Sequence, residues 1–129
     1  MFRNRFAWLL PIFWAAVIFF ASSIPQLDTP FHFQDSDKLL HLLAYLPLGF
    51  LLYYAMTETP QLFTKRRETW AVLLGALYGA SDEMHQYFVP GRNADFLDFA
   101  ADTVGVFLGV FAFLAYLQIR KSISFRRNE

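Results

Sequence analysis

Between Gly79 and Asp102 the chain reads GASDEMHQYFVPGRNADFLDFAAD, crowding five acids, one His and one Arg into a sequence that is elsewhere strongly apolar. Residues of these types suit three chemistries. Imidazole and carboxylate groups ligate divalent cations, so His41, Glu83, His85 and Asp98, with Asp102 beside them, are candidate metal ligands. A cation held there could activate water against a phosphoester or an amide, as in a metal-assisted hydrolase or transferase. Arg92 and Lys38 could instead grip the phosphate of a lipid head with charge-assisted hydrogen bonds. In a third arrangement the acids and bases satisfy one another as a buried structural network. Against the metal reading, Glu83-x-His85 does not place two ligands on one helix face, unlike the i, i+4 pair of zinc protease helices. No Ser-His-Asp or Cys-His arrangement is legible, and Ser81 reads as a helix-packing hydroxyl. Cysteine is absent, which excludes a disulfide framework and a thiolate metal site.

The elements that must position these groups read as membrane helices. The 129 residues are 56% hydrophobic and include 16 Phe, more aromatic surface than a soluble domain of this length can bury. The chain suffices for a single domain, and its hydrophobic runs predict an all-α bundle of four transmembrane helices at about 6–23, 39–57, 69–88 and 95–118. The first run could alternatively be a cleaved signal peptide with Arg3 and Arg5 as its basic region. Its apolar part exceeds the usual length of roughly 7–15 residues, which favours a retained span. Pro47 falls inside the second run, where a kink is expected and tolerated. The linkers are 24–37, 58–68 and 89–94.

Charge placement orients the bundle. Zero net charge suggests no nucleic-acid partner, but four spans separate the charges sharply. Arg3, Arg5, Lys65, Arg66, Arg67, Arg120, Lys121, Arg126 and Arg127 share one side, and only Lys38 and Arg92 lie on the other. The positive-inside rule makes the first side, with both termini, cytoplasmic. The acids do the reverse. Asp28, Asp35, Asp37, Asp82, Glu83, Asp95, Asp98 and Asp102 fall on the outer half, against Glu58, Glu68 and Glu129 on the inner. At about 1.5 Å per residue, His41, Asp82, Glu83, His85 and Asp102 all lie roughly 20–26 Å from the cytoplasmic ends of their helices. Groups from three helices thus converge on one level. Ionisable groups at membrane depth cost about 2.5–3.5 kcal/mol each on the lenient scale, so they need partners, protons or water.

Spacing gives direction. Asp95, Asp98, Asp102, Gly105 and Gly109 recur at three and four residues, which is one helix face with an acidic half and a Gly-x-x-x-Gly half. Gly75 and Gly79 repeat the glycine spacing on the third helix. The simplest assembly packs the third and fourth helices through these glycines. Asp82, His85 and Gln86 share a face of the third helix, while Glu83 points about 100° away, towards Gln86 or Tyr87. Asp37, His41 and Tyr45 align on the second helix. Asp37 and Asp95 also suit N-caps of the helices they precede.

Four sets of residues are similar to the VanZ-like family of small bacterial membrane proteins. They are Phe20-x-Ser22-Ser23-x-Pro25; Asp37-Lys38-x-x-His41-x-x-x-Tyr45; Ser81-Asp82-Glu83-x-His85-Gln86-x-Phe88-x-Pro90-Gly91-Arg92; and Asp98-x-x-x-Asp102-x-x-Gly105-x-x-x-Gly109. The resemblance runs from about residue 14 to 109. It departs from the family at Asp102, where Asn is usual. The family consists of four-helix integral membrane proteins, and its namesake is associated with resistance to teicoplanin. The resemblance therefore implies a multi-pass protein of the bacterial cytoplasmic membrane with an envelope role, and it names no reaction. It marks Asp37, Lys38, His41, Tyr45, Glu83, His85, Gln86, Arg92 and Asp98.

These readings together predict an outward-facing polar pocket built from Asp37, Lys38, His41, Tyr45, Asp82, Glu83, His85, Gln86, Arg92, Asp98 and Asp102. Its expected occupant is the polar head of an envelope lipid or lipid-linked precursor. A divalent metal is the cofactor that the alternative, hydrolytic reading needs. A transporter is disfavoured because the acids stop in the outer half. The basic tail from Arg120 to Arg127 is expected to hold the last helix to anionic cytoplasmic lipid.

Overall fold

A computed structural model describes residues 4–25 and 36–127. Arg3, Asp28, Asp35 and Glu129, counted in the charge division above, lie outside them. The described residues form four α-helices and no strand. A 3-10 turn, Arg5–Trp8, opens the fold, capped by the Asn4 side chain on the Phe6 N–H. It leads into α1, Leu9–Ser22. The other helices are α2, Ser36–Glu58; α3, Arg67–Gln86; and α4, Phe96–Arg126.

Helix ends differ from the hydropathy reading for physical reasons. α2 begins three residues earlier than its apolar run, and Asp37 lies in its first turn rather than capping it. A carboxylate there meets the positive end of the helix dipole. Asp95 does cap α4, its side chain accepting from the Leu97 N–H at 2.9 Å. α4 continues eight residues beyond the predicted end, because neither Gly nor Pro interrupts the chain between Gln118 and Arg126. Between α3 and α4, Gly91 adopts φ 80°, the left-handed geometry that the Pro90-Gly91 turn needs.

α2 and α4 are long and apolar enough to cross a bilayer. The apolar stretch Phe6–Ser22 is shorter, and α3 carries Arg67, Glu68, Asp82 and Glu83. α2 packs most extensively against α4. Tyr45, Leu48, Leu52, Tyr53 and Met56 from α2 meet Val106, Val110 and Phe113 from α4, with Ala71 of α3 and Ile18 of α1 completing the core. Polar ties fasten the N-terminal segment: Trp8 Nε1 to Thr59 Oγ1 at 3.1 Å, Trp14 Nε1 to the Ala44 carbonyl at 2.8 Å, and Tyr78 Oη to the Ala15 carbonyl at 2.6 Å.

The glycines correct the predicted assembly. Gly105 and Gly109 face α2, not α3. A Cβ at Gly105 would sit 2.5 Å from the Leu42 carbonyl oxygen, and one at Gly109 would collide with the Leu46 carbonyl. Gly49 of α2 answers them, lying against the Val106 backbone. Gly75 and Gly79 of α3 do face α4, but they meet the side chains of Val106 and Asp102 rather than other glycines. Spacing defines a face of a helix and leaves its partner open. In hydrocarbon, helix association draws on close packing rather than on release of water, so the small residues mark where backbones approach most closely.

Candidate functional site

The α2–α4 seam places polar groups next to its packed core. His41 lies one turn before Tyr45 on α2 and faces Asp102 of α4, with Nδ1 2.9 Å from Asp102 Oδ1. Glu83 of α3 approaches the same nitrogen, its Oε1 3.9 Å away. Asp98 Oδ2 stands 3.9 Å from His41 Nε2, on the other edge of the ring. Asp102 is fully buried, and Glu83 is only 7% exposed. His41, Glu83 and Asp102 each offer one ligand atom, all within 4.8 Å of one another. Gly79 makes this possible, because a Cβ there would lie 3.2 Å from Asp102 Oδ2.

Glu83 and Asp98 are positioned from outside the group. Glu83 Oε2 accepts the Asp95 backbone N–H at 2.9 Å, and Gln86 Nε2 reaches Glu83 Oε1 at 3.5 Å. The Nζ of Lys38 lies 3.3 Å from carboxylate oxygens of Asp37, Asp95 and Asp98. The contact to Asp98 Oδ1 is an ion pair without hydrogen-bond alignment. The Leu97 N–H, followed by Lys38, holds the exposed Asp95 carboxyl below the usual carboxylate range. Besides Asp98 Oδ1, two buried oxygens, Asp102 Oδ2 and Tyr45 Oη, have no hydrogen-bond partner among the described residues. Such groups normally have one, so the two mark a place where water, a proton or a ligand belongs.

A second polar cluster lies between α3 and the end of α1. Ser22 Oγ donates to Asp82 Oδ1 at 2.6 Å, and Gln86 Nε2 donates to Asp82 Oδ2 at 3.1 Å. His85 stacks on Phe19 with ring centroids 4.5 Å apart, and its Nε2 lies 2.9 Å from Ser23 Oγ. His85 thus joins α1 and stands apart from the group of His41, Glu83 and Asp102. Arg92 folds back over this cluster, donating to Gln86 Oε1 at 3.2 Å and to the carbonyls of Ile24 and Ala21. Ser22 and Ser23 stand in the sequence within the Phe20-x-Ser22-Ser23-x-Pro25 set, with no partner assigned to either. The Ser23 hydroxyl donates to the Phe19 carbonyl at 2.7 Å, a local bond that short polar residues favour at helix ends, and Ser22 Oγ lies 3.0 Å from the same carbonyl.

A cavity of about 130 Å³ joins the two clusters. Asp37, His41, Tyr45, Asp82, Gln86 and Arg92 give it a polar lining, and Ile18, Ala21, Leu40 and Ala44 give it an apolar wall. Lys38, Glu83, His85, Asp98 and Asp102 are not part of its lining. The predicted site residues are therefore divided: some line the pocket, Glu83, Asp98 and Asp102 gather around His41 outside its lining, and His85 packs against α1.

The described residues thus combine an all-helical fold, two helices long and apolar enough to cross a bilayer, and a polar group shared by α2, α3 and α4. A model of the VanZ/LLP1 family matches residues 6–118, and the chain belongs to that family. Membership makes it a VanZ-like membrane protein and bears out the resemblance carried by the four residue sets. Comparison with the curated proteins and with the solved structures gives no match.

Proposed function

We propose that all four helices traverse the bacterial cytoplasmic membrane with both ends cytoplasmic. On this reading the cavity opens to the extracytoplasmic side and receives the phosphate-bearing head of an envelope lipid or lipid-linked precursor. The observation that carries this reading is the cavity's division into an apolar wall and a polar lining with Arg92 among its residues. Its volume is that of roughly four waters, enough for a phosphate and a few further atoms. Arg92 has five N–H donors, of which three are engaged by Ile24, Gln86 and Ala21, leaving two for a phosphate oxygen. Lys38 offsets part of the surplus of acid, since its Nζ faces three of the carboxylates. The lopsided distribution of Lys and Arg supports the orientation. Occupancy by a precursor would connect the protein to glycopeptide susceptibility.

Thermal melting of the detergent-purified protein tests this. A ligand that binds only the folded state raises the melting temperature by mass action. A polyprenyl phosphate should stabilise the wild type more than phosphatidylcholine does, and Arg92→Gln should lose the difference. Equal stabilisation by the two lipids, or an undiminished difference in Arg92→Gln, would overturn the reading.

A further inference from the structure

We infer that His41, Glu83 and Asp102 form a binding site for one divalent transition-metal cation of the Zn²⁺ or Mn²⁺ type. The donors come from three helices. His41 Nδ1 lies 2.9 Å from Asp102 Oδ1 and 3.9 Å from Glu83 Oε1, and all three ligand atoms fall within 4.8 Å of one another. A cation with bonds of about 2.0–2.2 Å holds its ligands roughly 3–3.6 Å apart. The His41–Asp102 separation lies just below that range and the His41–Glu83 separation just above it, so binding would ask both carboxylates to shift. The cation takes the place of the proton shared between His41 and Asp102. One imidazole and two carboxylates suit borderline first-row ions better than soft ones.

Three features go beyond the proximity of acids. The first is the unpartnered Oδ2 of Asp102, on a residue with no exposed surface. The second is the environment of the ligands. Metal-bound His characteristically directs its other ring nitrogen at a carboxylate, and His41 Nε2 faces Asp98 Oδ2, itself paired with Lys38. Glu83 is likewise oriented, its Oε2 tied to the Asp95 N–H. The third is charge. Asp37 and Asp95 keep much of their contact with water, so among the buried groups Lys38 faces Asp98, while Glu83 and Asp102 against a protonated His41 leave one negative charge over. A divalent cation with neutral His41 leaves none, which matters for groups removed from water.

The site shares His41 with the proposed headgroup pocket but does not require an occupant there. Full-length protein is purified in detergent, stripped with a chelator, exposed to Zn²⁺ or Mn²⁺ without added lipid, desalted and assayed for metal. The expected result is one cation retained per chain, with affinity at least about tenfold lower in Asp102→Asn and Glu83→Gln. Glu68→Gln, at the opposite end of α3, should bind as the wild type does. If the two variants fail to fold, the wild type decides alone. Cu²⁺ bound to it should show electron paramagnetic resonance splitting from a single imidazole nitrogen. No stoichiometric metal on the wild type, wild-type affinity in folded Asp102→Asn and Glu83→Gln, or a Cu²⁺ spectrum without that nitrogen would overturn the inference. Metal binding without an Arg92-dependent lipid effect would remove the headgroup reading alone. The reverse would remove the cation alone.

Discussion

At one end the α2–α4 seam holds His41, Tyr45, Asp98 and Asp102; one to three turns further along α4 the same seam holds Gly49, Gly105, Val106, Gly109 and Phe113. The glycine end is dry and close-packed, and its helices approach until backbone meets backbone. The polar end keeps the same two helices in register but fills the seam with groups that attract one another over 2.9–3.9 Å. The glycine end therefore acts as the clamp that holds His41 against Asp102. Packing has one best distance, whereas the charged groups tolerate several, so the precision of the polar end derives from its neighbour.

The largest expected effect comes from breaking the polar end. His41→Ala leaves the fully buried Asp102 carboxylate without its partner, and losing one member of a buried pair costs about 3–5 kcal/mol. Denaturant unfolding in detergent measures it, and amide exchange at Val106 and Val110 should stay near wild type if the clamp survives. Gly109→Ala attacks the clamp. Its Cβ meets the Leu46 carbonyl, an overpacking cost of about 1–3 kcal/mol, partly offset by the helix propensity of Ala, about 1 kcal/mol. Amide exchange in the His41 region should accelerate in this variant, although the substitution lies two turns away. Protection at His41 unchanged in Gly109→Ala would separate the two ends and break the comparison.

Two smaller effects sharpen it. Tyr53 donates to Glu68 at 2.7 Å on the glycine side of the bundle, so Tyr53→Phe should cost about 1 kcal/mol in the same assay and leave the polar end untouched. The smallest effect is a pH dependence. The Asp95 carboxyl is held below its ordinary value, so its contribution is complete above the unfolded carboxylate value of about 3.9. It is lost as pH falls through the lower folded value. A melting series below pH 4 should show a decline in the wild type that is shallower in Asp95→Asn.

Periodicity made one face of α4 legible, from Asp95 to Gly109, because three- and four-residue spacing defines a helix face without any knowledge of the fold. It left open which helix that face meets, and Gly105 and Gly109 turned out to meet α2. Depth counting brought His41, Glu83 and Asp102 to one level, and they do lie together. The same count put His85 with them, yet His85 stacks on Phe19. Level along a helix is legible from residue number, whereas azimuth relative to a third helix depends on how α1 packs. Ser22 and Ser23 were obscure for that reason, since their role exists only once α1 lies against Asp82 and His85. The end of α4 was misplaced because loss of hydropathy marks where a bilayer ends, not where a helix does.

On the proposed orientation, the cavity beside His41 and Tyr45 opens to water on the extracytoplasmic side. Because the chain has no cysteine, single-cysteine labelling reads it directly. Ala44→Cys, in the cavity wall, should react in intact cells with a membrane-impermeant thiol reagent and be protected by a polyprenyl phosphate. Ser122→Cys, near the end of α4, should react only after the membrane is opened. An Ala44→Cys that stays unreactive, or that reacts only from the cytoplasmic side, would contradict the account.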